Sequence, residues 1–188
     1  RILYSKFISL ENNARHLLEY SQGGSHLQYT PHGLSHVTIV EDNYDWLLSE
    51  DIEKFSYTEI FILLSATYFH DAMMIPKYLG DEEKARASHA ERANDFITKH
   101  YVELGLQLNE AVAIGHVIKG HSVDALDELQ GSLVLGSDKI DIHKLVACLS
   151  ISDICHADES RAPWIVKAHL EICLLYTSPS PRDPKTSR

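Results

Sequence analysis

The chain has 188 residues, 44% of them hydrophobic and 23% charged, with a formal net charge of −10. Those values suit one globular domain with a sizeable core and disfavour a broad electrostatic footprint for nucleic acid. No membrane span is expected, because the longest apolar run, Ile60 to Phe69, holds ten residues and includes Ser65 and Thr67.

The three cysteines, Cys148, Cys155 and Cys173, include no CxxC pair. They fit a reducing compartment and argue against a disulfide scaffold or a thiolate zinc site. No basic-then-apolar leader is visible, so a cytoplasmic location is expected. The chain opens at Arg1 rather than Met, which leaves room for an upstream segment.

Helical periodicity dominates, and alternating strand patterns are scarce. Ile8, Leu10, Ala14, Leu17 and Leu18 predict a first amphipathic helix, stopped by Gly23-Gly24. After a turn at Thr30-Pro31-His32-Gly33, residues His36, Val37, Val40, Tyr44, Leu47 and Leu48 share the face of a second. The third runs from about Ser56 or Thr58 to Asp71 and ends before Pro76. Asp81 can cap a fourth helix through His100, with Glu82 and Glu83 in its first turn. Asn109 opens a fifth over Ala111, Val112, Ile114, Val117 and Ile118. Residues 122 to 137 look irregular, with Leu133-Val134-Leu135 the one strand candidate. Asp138 or Asp141 starts a sixth helix, and Pro163 a seventh. The expected class is an all-α bundle.

His70-Asp71 closes the most apolar of these segments. An ionised carboxylate buried alone costs several kcal/mol or more, so it needs a partner such as a cation. Asp71 lies four, seven and eleven residues after Thr67, Leu64 and Ile60, on an inward stripe. Asp153 stands four and eight residues after Leu149 and Leu145 in the same way, and His36 shares a face with Val40. Imidazole with carboxylate suits Mn, Fe, Co, Ni or Zn, whereas an all-oxygen set would suggest Mg or Ca. A lone buried histidine is usually a hydrogen-bonded core residue, and a lone aspartate near a helix end is usually a cap. Ordered co-occurrence argues against such separate explanations. His16, His26, His100, His143, His156 and His169 lack a comparable setting and read as surface or structural residues; His32 and His116 stay open.

The order His36, His70-Asp71, His89, His121, Asp153 resembles the HD superfamily of metal-dependent phosphohydrolases, over about residues 30 to 165. The local contexts His32-Gly33-Leu34-Ser35-His36-Val37, Arg86-Ala87-Ser88-His89, Leu149-Ser150-Ile151-Ser152-Asp153 and Arg161-Ala162-Pro163 are similar too. The resemblance implies an HD-type helical bundle with a metal site in its core. It implies that His36, His70, Asp71 and Asp153 hold one metal, and that His89 and His121, with Asp71 bridging, hold a second. Ala72-Met73-Met74 stands where the cyclic-dinucleotide phosphodiesterase branch often carries a lysine, and Gly120-His121-Ser122 offers one histidine instead of a pair. These departures disfavour that branch and leave one or two ions open. The setting is similar to HD domains fused to ATPase modules in bacterial multidomain proteins, so fused domains are expected.

The activity so implied is hydrolysis of a phosphoester or phosphoanhydride, with a nucleotide the expected substrate, through a metal-activated water. Asp71 and Asp153 are the catalytic candidates, and Lys77 and Arg161 the candidate phosphate contacts. The alternatives are a non-catalytic nucleotide-sensing module that regulates a fused domain, and an HD-type di-iron oxygenase. Substrate, metal and oligomeric state stay open. Residues 173–188 resemble the conceptual translation of a sequencing adapter and are set apart from the fold. The expected division is 1–29 as an N-terminal helix or preceding segment, 30–172 as the metal-binding domain, and 173–188 as a disordered tail. An internal fragment of a longer protein is therefore expected.

Overall fold

The apolar stretch 60–69 becomes the central helix of the protein. In this computed structural model the described residues are 1–22, 33–74, 82–122 and 129–156. They form α1 (Ile2–Gln22), α2 (Leu34–Leu48), a 3-10 turn (Ser49–Lys54), α3 (Tyr57–Phe69), α4 (Glu82–Lys99), α5 (Leu108–Gly120), β1 (Ser132–Leu135), β2 (Asp138–Asp141) and α6 (Ile142–Cys155). All belong to one unit, Arg1–His156, and the class is all-α. No helix among the described residues is long and apolar enough to cross a membrane.

Phe61, Ile62, Leu63, Ala66, Tyr68 and Phe69 of α3 are all buried, as a helix apolar on most sides must be. The other helices except α4 pack around it, and α4 lies against α5. Ser56 starts α3 with a capping box: its Oγ accepts from Glu59 N at 3.1 Å, and Glu59 Oε2 accepts from Ser56 N at 3.0 Å. Such a cap contributes about 1 kcal/mol. Glu59 Oε1 accepts from Asp141 N at 3.2 Å and from Lys144 Nζ at 2.8 Å, so one side chain fastens α3 to the hairpin and to α6.

That hairpin supplies a strand that periodicity does not reveal. β1 and β2 pair antiparallel, Ser132 with Asp141 through Leu135 with Asp138. Gly136 has φ 61° and stands first in a two-residue loop, the glycine position of a type II′ turn. β2 holds one apolar residue, Ile140, fully buried, so it has no alternation to read. Asp141, not Asp138, caps α6 by accepting from Lys144 N at 3.0 Å. Asp138 Oδ2 instead accepts from Thr58 Oγ1 at 2.5 Å.

α5 begins slightly ahead of the expected Asn109. Gln107 N donates to Glu110 Oε2 at 2.7 Å, while Asn109 Oδ1 accepts from Glu110 N inside the first turn. α3 also stops earlier than expected, at Phe69, leaving His70 as its cap and Asp71 in the turn beyond. Asp81, the turn through His32, the helix expected at Pro163 and the tail lie outside the described residues.

Candidate metal centre

Among the described residues four helices are followed directly by a histidine, and three of these come together: His70 after α3, His121 after α5 and His156 after α6, while His100 after α4 faces Phe96 and Glu103. The last carbonyls of a helix lack intrahelical donors. His70 answers this by donating Nδ1–H to Thr67 O at 2.7 Å, and His121 makes the equivalent bond from Nδ1 to Ile118 O. A carbonyl can only accept, so the proton sits on Nδ1 in both rings, and each neutral imidazole carries its lone pair on Nε2. Both Nε2 atoms face the same region.

Asp71 sits in the turn past α3, where Ala72 N donates to Phe69 O at 3.1 Å and Met74 N to Asp71 O at 2.9 Å. These tight turns carry the chain on from the helix end, and Asp71 is buried at 3% exposure. Its Oδ2 lies 3.2 Å from His70 Nε2 and 3.5 Å from His36 Nε2. Its Oδ1 lies 3.4 Å from His89 Nε2. His36 comes from the first turn of α2, fully buried, with Nε2 3.3 Å from His70 Nε2 and 3.1 Å from Asp153 Oδ1. His89, from α4, has Nε2 3.1 Å from His121 Nε2. One ligand atom each of His36, His70 and Asp71 lies within 4.8 Å of the other two, and the same holds for Asp71, His89 and His121.

Neutral imidazoles with their Nδ1 protons committed would present lone pairs to each other and to two carboxylates. Such an arrangement needs positive charge at its centre. With protons as the counter-charge, the demand is visible in the side chains. Burial lowers the His70 pKa, but the charges of Asp71 and Asp153 outweigh it and lift the value to about 9. Burial, then the His70 charge, drives His121 down to about 4. Burial would raise the Asp153 carboxyl, yet the His36 hydrogen bond and the His70 charge hold it at about 2. The C-terminal ends of α3, α5 and α6 add partial negative charge at the same place. These His/Asp clusters could therefore bind a metal, and the mixed nitrogen and oxygen donors fit a divalent transition ion.

A second layer stiffens the first. Tyr44 donates its hydroxyl to Thr67 Oγ1 at 2.8 Å, and Thr67 Oγ1 donates to Leu63 O at 2.9 Å. The carbonyl that receives His70 thus belongs to a residue held from α2. Arg92, three residues after His89, donates Nη1–H to Met73 O at 3.0 Å and ties the turn after Asp71 to α4.

The six residues His36, His70, Asp71, His89, His121 and Asp153 meet as a group. His116 stands apart, half-buried, its pKa lowered by burial and by Lys119. His16 and His143 are exposed. Lys77, Arg161 and His32 lie outside the described residues. His156 is where sequence reasoning stopped short: it is 3% exposed, and its Nδ1 lies 2.6 Å from His36 Nδ1. Its place at a helix end is shared with His70 and His121 but also with His100, so that signal alone does not pick it out. Arg92 carries no comparable sequence signal, because a charge on a polar helix reads as solvated.

A family model described as HD-CE matches residues 26–178, well over half of the chain. Among curated proteins and among solved structures, nothing matches this chain.

Proposed function

The chain belongs to the HD-CE family, an HD-type domain, and on that premise we propose a metal-dependent phosphohydrolase acting on a nucleotide or other phosphoester. The observation that carries this reading is Asp71, whose two oxygens face two separate histidine groups at 3.2–3.5 Å. His36, His70, Asp71 and Asp153 would hold one ion, and Asp71, His89 and His121 a second. A divalent transition metal held there would polarise a phosphoryl oxygen and lower the pKa of water from about 16 towards 7.

The chain's own groups divide the remaining work by exposure. The Asp71 side chain, 5% exposed, can anchor but has little access to substrate. The Asp153 side chain, 26% exposed and ionised at neutral pH, would accept a hydrogen bond from an incoming water and orient it. His89, 14% exposed, is more accessible than Asp71. Burial of His36, His70 and Asp71 keeps competing water off those three side chains.

The test is phosphate release from a panel of nucleotides after reconstitution with Mn, Fe, Co, Ni or Zn, beside Asp71→Ala. Metal-dependent release that falls to background in the variant is the expected result. Equal rates in both proteins would sink the proposal. A carboxylate shared between two histidine groups also suits a di-iron oxygenase. Dioxygen uptake by iron-loaded protein, without phosphate release, would favour that reading instead.

A further inference from the structure

From the geometry around His36 we propose that His156 is a positioning residue for the metal centre, accepting a hydrogen bond from His36 Nδ1–H so that His36 Nε2 carries the lone pair that ligates. The inference rests on the metal-binding reading of His36 given above. The two Nδ1 atoms are 2.6 Å apart, with ring centroids 4.9 Å apart and planes 15° from parallel. Facing nitrogens that close rule out stacking, because ring faces in contact stand further apart than that. The rings therefore lie edge to edge and nearly coplanar, the arrangement an N–H···N bond requires.

One proton occupies that bond, and its owner decides what His36 can do. If His36 donates, its Nε2 holds a lone pair towards Asp71, His70 and Asp153; if His156 donates, His36 carries its proton on Nε2 and cannot ligate. His70 and His121 have the question settled by backbone carbonyls. His36 lies in the first turn of its helix, where the orphan backbone groups are N–H donors and offer no such acceptor. His156 supplies it from α6.

The placement is economical. Asp153 and His156 are three residues apart at the end of α6, and His156 N donates to Asp153 O at 3.1 Å. One turn of chain thus faces both nitrogens of one imidazole: Asp153 Oδ1 stands opposite Nε2, where an ion would share both, and His156 meets Nδ1. Outer partners of ligating histidines typically change metal affinity about 10–100-fold when removed.

The experiment compares wild type, His156→Leu and His156→Asn by Zn and Mn titration, and reads the His36 tautomer from nitrogen-15 shifts of the Zn-loaded proteins. Asparagine keeps an acceptor oxygen near the Nδ1 position; leucine removes it. His156→Leu should bind about 10–100-fold more weakly, His156→Asn within a few-fold of wild type, with His36 protonated on Nδ1 in wild type and in His156→Asn. Unchanged affinity in His156→Leu, or loss in His156→Asn equal to that in His156→Leu, overturns the positioning role while leaving the metal reading intact. Failure of wild type to take up metal overturns both. Should His156→Leu not fold, the affinity and tautomer of His156→Asn decide alone.

Discussion

Asp71, in the turn past α3, meets His89 of α4: His89 Nε2 lies 3.4 Å from Asp71 Oδ1, while His36 and His70 approach Oδ2. That division makes Asp71 the single residue common to both groups of ligands, and it orders the consequences of mutation.

Metal content should separate the two groups. We expect His121→Ala to lose one equivalent of bound metal and keep the other, since His36, His70, Asp71 and Asp153 remain. Asp71→Ala should lose both. Elemental analysis after Mn or Zn loading and desalting checks this, and a His121→Ala protein with wild-type content would refute the second group.

Ligand removal should be visible as stability. A metal at a hundred times its dissociation constant stabilises a fold by about 2.7 kcal/mol. For a chain of this size that corresponds to roughly 5–10 °C in Tm. Thermal melts with and without a chelator should show that gap, and Asp71→Ala should show none.

Gly120 is predicted to tolerate no side chain. A Cβ there would stand 2.5 Å from Val146 Cγ2 and 2.7 Å from Leu129 Cδ1, where α5 meets α6. Overpacking of this kind costs about 1–3 kcal/mol, and Gly120 directly precedes His121. Gly120→Ala should lower Tm and weaken the metal group of His89 and His121 more than that of His36. A variant that melts and binds like wild type would show that the helices part without consequence.

Acid stability should depend on Glu59. Burial raises this carboxyl, but Lys144 and the Ser56 and Asp141 amides together hold it below its ordinary 4.5. A folded value below the unfolded one contributes stability that is present in full above about pH 4.5 and lost as the pH falls through the folded value. Glu59→Gln should therefore be less stable than wild type at pH 7, with the difference shrinking below pH 4.5. Urea unfolding at pH 7, 5, 4 and 3 measures it; a difference constant over that range would mean the charge is not what matters.

Much of this architecture is legible in residue patterns. The helical periodicities of 34–48 and 108–120 are strong enough to place α2 and α5 within a residue or two. The Ile60–Phe69 run, too apolar for the surface, has to lie inside, and His70-Asp71 follows it there. β2 was not legible, because its four residues carry one apolar side chain and their pairing partner is set by a turn. Asp71 reads as inward from helical offsets, yet the helix ends at Phe69 and the turn beyond it carries Asp71 to its buried place.

The sequence by itself determined which residue types were available to a metal and that the class is all-α, since local periodicity is a property of neighbouring residues. Only the tertiary structure decided which atoms meet. His36 and His156 stand 120 positions apart, and no local pattern links them. Their contact exists because α2 packs against α6, and the tautomer of one buried imidazole depends on what the fold places against its other nitrogen.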